Sequence, residues 1–83
     1  MISLVVLSLK DTLYKGEVTK ITAPGVHGQF TILPDHLPFL TTLKKGAICY
    51  TIAEQEHFVE VPQEGGIFEL VQGQATVLLS SSL

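Results

Sequence analysis

Short apolar runs separated by turn-forming residues fill the chain from end to end. Apolar runs begin near residues 2, 17, 29, 39, 47, 57, 67 and 75, and Gly, Pro, Asp or paired Lys residues interrupt them. Turn signals at intervals of about 8 to 12 residues are typical of an all-β sandwich or barrel. We therefore predict one domain over residues 1–83, a flattened all-β sandwich or barrel of about ten short antiparallel strands.

Alternation with a period of two supports this prediction most clearly in residues 47–52. There Ile48, Tyr50 and Ile52 fall on one face of a strand, and Cys49 falls on the other with Thr51. Residues 2–9 are apolar almost throughout, which is typical of a strand covered on both faces, by the core on one side and by a partner on the other. A helix is disfavoured because residues 4–15 have no 3.6-residue stripe and residues 46–61 are rich in β-branched and aromatic side chains.

The segment 24–43 combines prolines and glycines with large apolar residues. Pro24, Pro34 and Pro38 each remove a backbone donor and favour extended geometry before them. We predict strands at 29–33 and 39–43 joined by a stiff hairpin loop, with Asp35 and His36 at its tip. Such a loop reduces the ordering cost of binding a partner.

Glycines mark the other predicted turns. Gly16 is expected to turn the chain before a strand at 17–23, and that strand needs a bulge for Val18 and Ile21 to face the same way. Gly25 and Gly28 are expected to be positions where a positive φ costs nothing, and replacing Gly25 or Gly66 by a β-branched residue is expected to be costly where the turn needs positive φ.

Composition excludes several classes of protein. Apolar residues make up 46% of the chain, which excludes disorder, and no apolar run reaches the roughly 20 residues of a membrane-spanning helix. The net charge is −3, Lys44 and Lys45 are the nearest approach to a basic cluster, and there is no Trp. We therefore expect a soluble protein that binds no nucleic acid. No basic region precedes the first strand, so no signal peptide is expected.

The side chains that carry chemistry are few and scattered. His27, His36 and His57 are nine and twenty-one residues apart, which gives no paired metal-ligand spacing. Cys49 is the one cysteine, and we expect a buried thiol in a reducing compartment. Asp35 and His36 lack a nucleophile elbow or an oxyanion glycine cluster. The sequence predicts no catalytic site, metal or cofactor.

One run resembles a known family. Residues 24–41, PGVHGQFTILPDHLPFLT, resemble the PGxxGEFGVLPGHAPLLT signature of the ε subunit of F-type ATP synthase. The segments LYKGEV, LKKG, GGIFE and ATVLL are similar to that family's LFSGEV, LKPG, SGGFLEV and VTVLAD, in the same order. The resemblance covers nearly the whole chain.

This resemblance implies a non-catalytic subunit. The family's N-terminal domain is a flattened ten-stranded β-sandwich at the foot of the central stalk. It binds the γ subunit, rests on the c-ring and couples proton-driven rotation to ATP synthesis. The implied location is peripheral, on the cytoplasmic face of an energy-transducing membrane, the bacterial inner membrane.

The resemblance also implies interface residues. The family's ring-facing edge matches His27, Gly28 and Gln29, and its γ-facing positions match Ser8, His36 and Thr41. The family has Glu at the position of Gln29 and Gly at that of Asp35. We hypothesise that Asp35 supplies the negative charge toward the c-ring that Gln29 lacks. Ser8, His36 and Thr41 each also allow a purely structural interpretation.

The family's C-terminal two-helix hairpin has no counterpart before Leu83. We therefore expect no nucleotide binding and no hairpin-mediated inhibition. Three alternatives remain open: a biotinyl or lipoyl carrier with its lysine at Lys44 or Lys45, an oligonucleotide-binding barrel, and a small β enzyme.

Overall fold

The structure is a computed structural model that describes residues 1–81, in which every regular element is a β-strand. The strands are β1 (Ile2–Leu7), β2 (Thr12–Val18), β3 (Lys20–Gly25), β4 (Gly28–Ile32), β5 (Phe39–Leu43), β6 (Gly46–Ile52), β7 (Gln55–Val61), β8 (Gly66–Val71) and β9 (Gln74–Leu79). The all-β prediction is confirmed, and residues 1–81 contain no helix that could cross a membrane.

The strands form one curled sheet in the order β2-β1-β9-β8-β5-β3-β6-β7, with β4 beside β3. Every pair is antiparallel except β1 with β9, which are parallel. The expectation of antiparallel strands throughout is therefore wrong at this pair. β1 and β9 are far apart in the sequence, so no hairpin imposes antiparallel pairing on them.

The sheet turns a corner where β5 meets β3. A single residue pair, Gly25 with Leu43, joins these strands. Two backbone hydrogen bonds flank it: the Val26 N–H donates to the Thr42 carbonyl (3.0 Å), and the Lys44 N–H donates to the Pro24 carbonyl (2.9 Å). We call β2, β1, β9, β8 and β5 the first half of the sheet, and β4, β3, β6 and β7 the second half.

The core lies between the two halves and is built from alternate residues of the strands. Its largest fully buried side chain is Phe68, on β8. Ile2, Leu4 and Val6 of β1 are buried, whereas the intervening residues are only half-buried. β1 therefore has one fully covered face, and its other face forms part of the outer surface of the first half.

The predicted hairpin between 29–33 and 39–43 is wrong, although the second strand has the predicted bounds. β4 pairs with β3, while β5 pairs with β8 and touches β3 at one residue. Pro34 and Pro38 lack backbone donors and restrict the residues before them, which suits a connection that crosses between strands without continuing their hydrogen bonds.

The prediction for residues 16–23 is also wrong in its boundaries. Gly16 lies inside β2, opposite Leu4. β2 ends at Val18 and β3 begins at Lys20, so the strand is interrupted at Thr19. There the Thr19 N–H and hydroxyl both donate to the Thr51 carbonyl, at 2.9 and 3.2 Å. Val18 and Ile21 are both buried, but they lie in different strands, so the predicted bulge between them is wrong.

Gly25 and Gly66 are required for a reason other than positive φ. The left-handed glycines are Gly28, Gly65 and Gly73, together with Gly46 at φ 157°. A Cβ on Gly66 would lie 2.6 Å from the Leu78 carbonyl oxygen, and one on Gly25 would lie 2.8 Å from the Gly28 carbonyl oxygen. Close approach of neighbouring backbone excludes a side chain at both positions.

The β6–β7 hairpin closes through a turn with an unusual composition. Its two central residues, Ala53 and Glu54, have φ of 49° and 67°. Two consecutive positive φ values in a two-residue loop define a type I′ turn, which normally takes Asn-Gly. The left-handed conformation costs a non-glycine residue roughly 1–2 kcal/mol of conformational free energy. The pairing of β6 with β7 therefore stabilises a turn that Ala53 and Glu54 do not favour by themselves.

We expect the double substitution Ala53→Asn with Glu54→Gly to stabilise the fold by about 1 kcal/mol, because Asn-Gly suits the type I′ conformation. Urea unfolding followed by circular dichroism measures the change. The control Glu60→Gly lies within β7 and should destabilise by roughly 0.5–1 kcal/mol. A double variant less stable than the wild type would contradict the assigned turn.

Candidate partner-binding surface

The loop between β4 and β5 is ordered by a tight turn at its start. The His36 N–H donates to the Leu33 carbonyl (3.2 Å), Pro34 follows Leu33, and Asp35 has φ 69°. Proline at the second position and a left-handed residue at the third are the features of a type II turn. Asp35 thus occupies a position that favours glycine, and its carboxylate is exposed.

His36 is exposed within this loop but not free to move. Its ring Nδ1 donates to the Leu37 carbonyl at 2.8 Å, and its ring centroid lies 6.1 Å from that of Phe39. Phe39 in turn lies 4.9 Å from Phe30, and Phe30 lies 5.1 Å from the buried ring of Phe68. This row of rings anchors the loop to the core, so Asp35 and His36 are presented in a fixed position.

The β3–β4 turn places His27, Gly28 and Gln29 together at an exposed tip. Gly25 and Gly28 pair across the base of the turn, and Gly28 has φ 126°. The three predicted ring-facing residues therefore share one protruding turn, which the corner hydrogen bond from Val26 ties to β5.

Ser8 organises a turn rather than presenting a free hydroxyl. Its side chain is 7% exposed. The hydroxyl oxygen accepts hydrogen bonds from the Lys10 N–H (3.2 Å) and the Asp11 N–H (2.9 Å), and the hydroxyl lies 3.3 Å from the Asp11 carbonyl. The side chain is therefore used in reversing the chain between β1 and β2.

Thr41 faces inward on β5. It pairs with the buried Phe68, and directly paired residues project from the same face of a sheet. Its half-buried side chain lies toward the core, whereas Leu40 and Thr42 on either side of it are exposed.

The structure also reveals an apolar surface of which the sequence interpretation singled out only the part on β1. Strand pairing brings the outward side chains of β5, β8, β9 and β1 together on the first half of the sheet. We call this the outer β5–β1 face, and its apolar members are Leu40, Ile67, Val71, Leu78, Val5 and Leu7.

Leu40 is 69% exposed and lies beside Ile67 and Leu78 in a shallow groove that Glu69 and Thr76 complete. A contiguous exposed apolar surface with polar residues among it is typical of an interaction site. The signal in the sequence was the pair of adjacent apolar residues in β8 and again in β9, since Ile67-Phe68 and Leu78-Leu79 place apolar side chains on both faces.

Cys49 is half-buried, so the prediction of a buried thiol is wrong. The alternation of β6 directs Cys49 to the outer face, opposite Ile48 and Tyr50, which point into the core. Partial burial raises the pKa of the Cys49 thiol, and the Glu56 carboxylate raises it further, against an opposing effect of Lys20. A raised pKa disfavours the reactive thiolate.

The histidines do not converge. Within residues 1–81 no three His, Cys, Asp or Glu side chains are grouped as a metal site requires. His57 stacks on Tyr50 with centroids 5.4 Å apart, and Tyr50 packs against Tyr14 at 4.4 Å. Burial raises the pKa of Tyr50, and the neighbouring Tyr14 adds to the rise. These rings join β2 to β6 and β7.

Taken together, these observations define an all-β domain with ordered exposed loops and an apolar outer face. A family model described as the ATP synthase delta/epsilon chain β-sandwich domain matches residues 1–82. The chain belongs to this family.

Curated relatives named ATP synthase epsilon chain are similar to this chain. The protein from Psychrobacter cryohalolentis is 33% identical over 78 residues, covering 94% of this chain and 56% of the relative. The protein from Geobacter metallireducens is 41% identical over 66 residues, covering 80% of this chain and 46% of the relative. The chain spans about half the length of the curated relatives it matches.

Two solved structures share the fold. A chain of the Euglena gracilis mitochondrial ATP synthase, in a structure of OSCP, F1 and the c-ring, superimposes with a TM-score of 0.85 at 18% identity, covering 94% of this chain and 49% of that one. A chain from the central stalk and c-ring structure of the Tetrahymena thermophila mitochondrial ATP synthase gives 0.78 at 10% identity, covering 96% and 63%.

The left-handed turn at Asp35 gives a direct test of the loop geometry. Asp35→Val should destabilise the fold by roughly 1–2 kcal/mol, because a β-branched residue tolerates this φ poorly, whereas Asp35→Gly should cost nothing. Leu37→Val, at an exposed position of the same loop, should change stability by less than about 0.5 kcal/mol. Equal stability of the Val and Gly variants at position 35, in chemical denaturation, would show that the turn is not held as described.

Proposed function

We propose that this chain is the non-catalytic central-stalk subunit of an F-type ATP synthase, and that it binds the γ subunit and the c-ring to couple proton-driven rotation to ATP synthesis. The observation that carries the proposal is the family match over residues 1–82. The likeness to chains from ATP synthase structures that include the c-ring supports it at the level of the fold. The proposed location is peripheral, on the cytoplasmic face of a bacterial inner membrane.

The mechanical role requires a body that transmits force without deforming. A curled sheet with a continuous core meets this requirement, because close-packed interiors resist compression. The role requires no reacting groups, and the carrier, oligonucleotide-binding and enzyme alternatives gain no support from the family match.

The outer β5–β1 face is the surface we assign to the γ subunit. It presents Leu40, Ile67 and Leu78 to solvent on a rigid sheet, and burying them is favourable at roughly 25 cal/mol per Å² of apolar surface. Leu7 and Leu40, two outward residues of this face, directly precede Ser8 and Thr41. We therefore propose that these segments contact γ mainly through Leu7 and Leu40, while His36 contacts it from the adjoining loop.

We assign the c-ring contact to the β3–β4 tip and to the neighbouring loop. His27, Gly28 and Gln29 are exposed together on the tip, and Asp35 adds a carboxylate on a fixed turn. The row of rings from His36 through Phe39 to Phe30 connects the loop with β4. In this arrangement Asp35 supplies the attraction toward basic groups of the ring, in the place of a glutamate at position 29.

The γ-binding assignment predicts that Leu40→Asp weakens binding to the cognate γ subunit by at least about tenfold, because a charge would be buried at the centre of an apolar contact. Isothermal titration calorimetry measures the affinity, and circular dichroism checks the fold. The matched control is Phe58→Asp, since Phe58 is 65% exposed on the second half of the sheet. It should leave the affinity unchanged. Retained binding by Leu40→Asp, or equal loss in both variants, would contradict the assignment.

The c-ring assignment predicts that Asp35→Asn lowers ATP-driven proton pumping in reconstituted vesicles more than Gln29→Ala does. Asparagine keeps the left-handed turn and removes only the charge, so the comparison isolates electrostatics. Gln29→Glu in the Asp35→Asn background should restore part of the pumping. Equal and negligible effects of the first two variants would exclude the role of Asp35 while leaving the stalk assignment intact.

A further inference from the structure

β7 is the terminal strand of the second half of the sheet, and within residues 1–81 no strand pairs with its outer edge. It comes last in the strand order and pairs with β6, from Gly46 with Val61 to Ile52 with Gln55. Its residues from Gln55 to Phe58 are exposed, as is Glu60. An exposed edge strand presents unpaired backbone groups that can take up a further strand.

The type I′ turn determines which backbone groups point to this edge. In a two-residue hairpin the residues that flank the turn, here Ile52 and Gln55, form a hydrogen-bonded pair. Hydrogen-bonded and non-hydrogen-bonded pairs then alternate along the strands. The N–H and C=O groups of Glu56, Phe58 and Glu60 therefore point away from β6, toward the open edge.

The same three residues direct their side chains to the outer surface. Phe58 is 65% exposed beside the half-buried Cys49, its partner on β6, and Glu56 and Glu60 lie two residues away on either side. Glu54 and Glu64 extend the negative charge beyond both ends of the strand, so four of the chain's eight acidic residues lie between positions 54 and 64. Lys20, on β3, is the basic residue on the neighbouring strands. Its positive charge opposes the rise in the pKa of Cys49.

From this arrangement we infer that β7 is a second docking site, which binds an extended segment of a partner protein by strand addition. The segment must follow the pattern basic, any, apolar, any, basic. Its apolar side chain covers Phe58, its two basic side chains lie opposite Glu56 and Glu60, and its backbone pairs with the three edge-facing residues. The site is on the opposite half of the sheet from the outer β5–β1 face and does not depend on the stalk assignment.

The alternative interpretation is that the glutamates of β7 protect its edge from pairing with any other strand. Glutamates on an exposed edge also prevent two copies of a sheet from joining edge to edge. The two interpretations differ in what they predict for a peptide: the docking site binds a suitably charged strand, whereas a protected edge binds none.

The test uses a fluorescein-labelled, end-blocked peptide of sequence Thr-Lys-Thr-Val-Thr-Lys-Thr and the whole chain, with fluorescence anisotropy at low ionic strength. We expect saturable binding that weakens as salt is added. The double variant Glu56→Gln with Glu60→Gln should bind about 3- to 10-fold more weakly. The control Glu54→Gln with Glu64→Gln removes the same charge outside the strand and should change affinity by less than about twofold.

A second measurement locates the bound peptide. Amide exchange followed by NMR should show the N–H groups of Phe58 and Glu60 becoming protected from solvent when the peptide is added, while those on β8 do not change. A peptide that fails to bind at millimolar concentration, or equal losses in the two double variants, would overturn the proposal. So would self-association of the Glu56→Gln, Glu60→Gln variant without peptide binding by the wild type, because that result identifies a protected edge.

Discussion

The corner between the two halves of the sheet is the constraint on which the structure depends. One residue pair, Gly25 with Leu43, and two flanking backbone hydrogen bonds join β3 to β5. Gly25 leaves no room for a side chain, since Gly28 pairs with it on its other side and a Cβ on Gly25 would meet the Gly28 carbonyl oxygen. Because so few backbone groups make the connection, side-chain packing also fixes the angle between the halves. Phe30 of the second half packs against Phe39 and Phe68 of the first half.

This corner explains how a small domain without disulfides can present rigid exposed surfaces. The β3–β4 tip and the loop before β5 both emerge from it, and both are connected to the core, by the Val26 hydrogen bond and by the row of aromatic rings. The two outer faces that the corner separates differ in chemistry. The first half carries aliphatic side chains around Leu40, whereas the edge of the second half carries Phe58 among glutamates. Such different surfaces are suited to different partners.

Much of the fold could be predicted because alternation is a local property. The face of β6 that carries Ile48 and Tyr50, and the bounds of β5, follow directly from the order of residues. Strand pairing could not be predicted in the same way, because it depends on contacts between distant segments. The two prolines around Asp35 indicate a rigid loop equally well whether it closes a hairpin or crosses between strands, and the break at Thr19 depends on a hydrogen bond to Thr51, thirty-two residues away.

The candidate site was predictable to a similar extent. His27, Gln29 and His36 are exposed, and their roles at an interface stay predictions; the direction of side chains within the strands could not be predicted, because it depends on register. A shift of one residue separates the inward Thr41 from the outward Leu40, and only the pairing of Thr41 with Phe68 distinguishes them. Ser8 could be identified as a turn residue only once its three hydrogen bonds were known.

The most direct test of this account is a methyl NMR titration of the chain with its cognate γ subunit. The account predicts that the methyl signals of Leu40, Ile67 and Leu78 shift or broaden on binding, while those of the core residues Ile21, Ile32 and Ile48 remain in place, because a preformed rigid shell docks through its outer β5–β1 face. Shifts confined to the second half of the sheet, or shifts throughout the core, would contradict it.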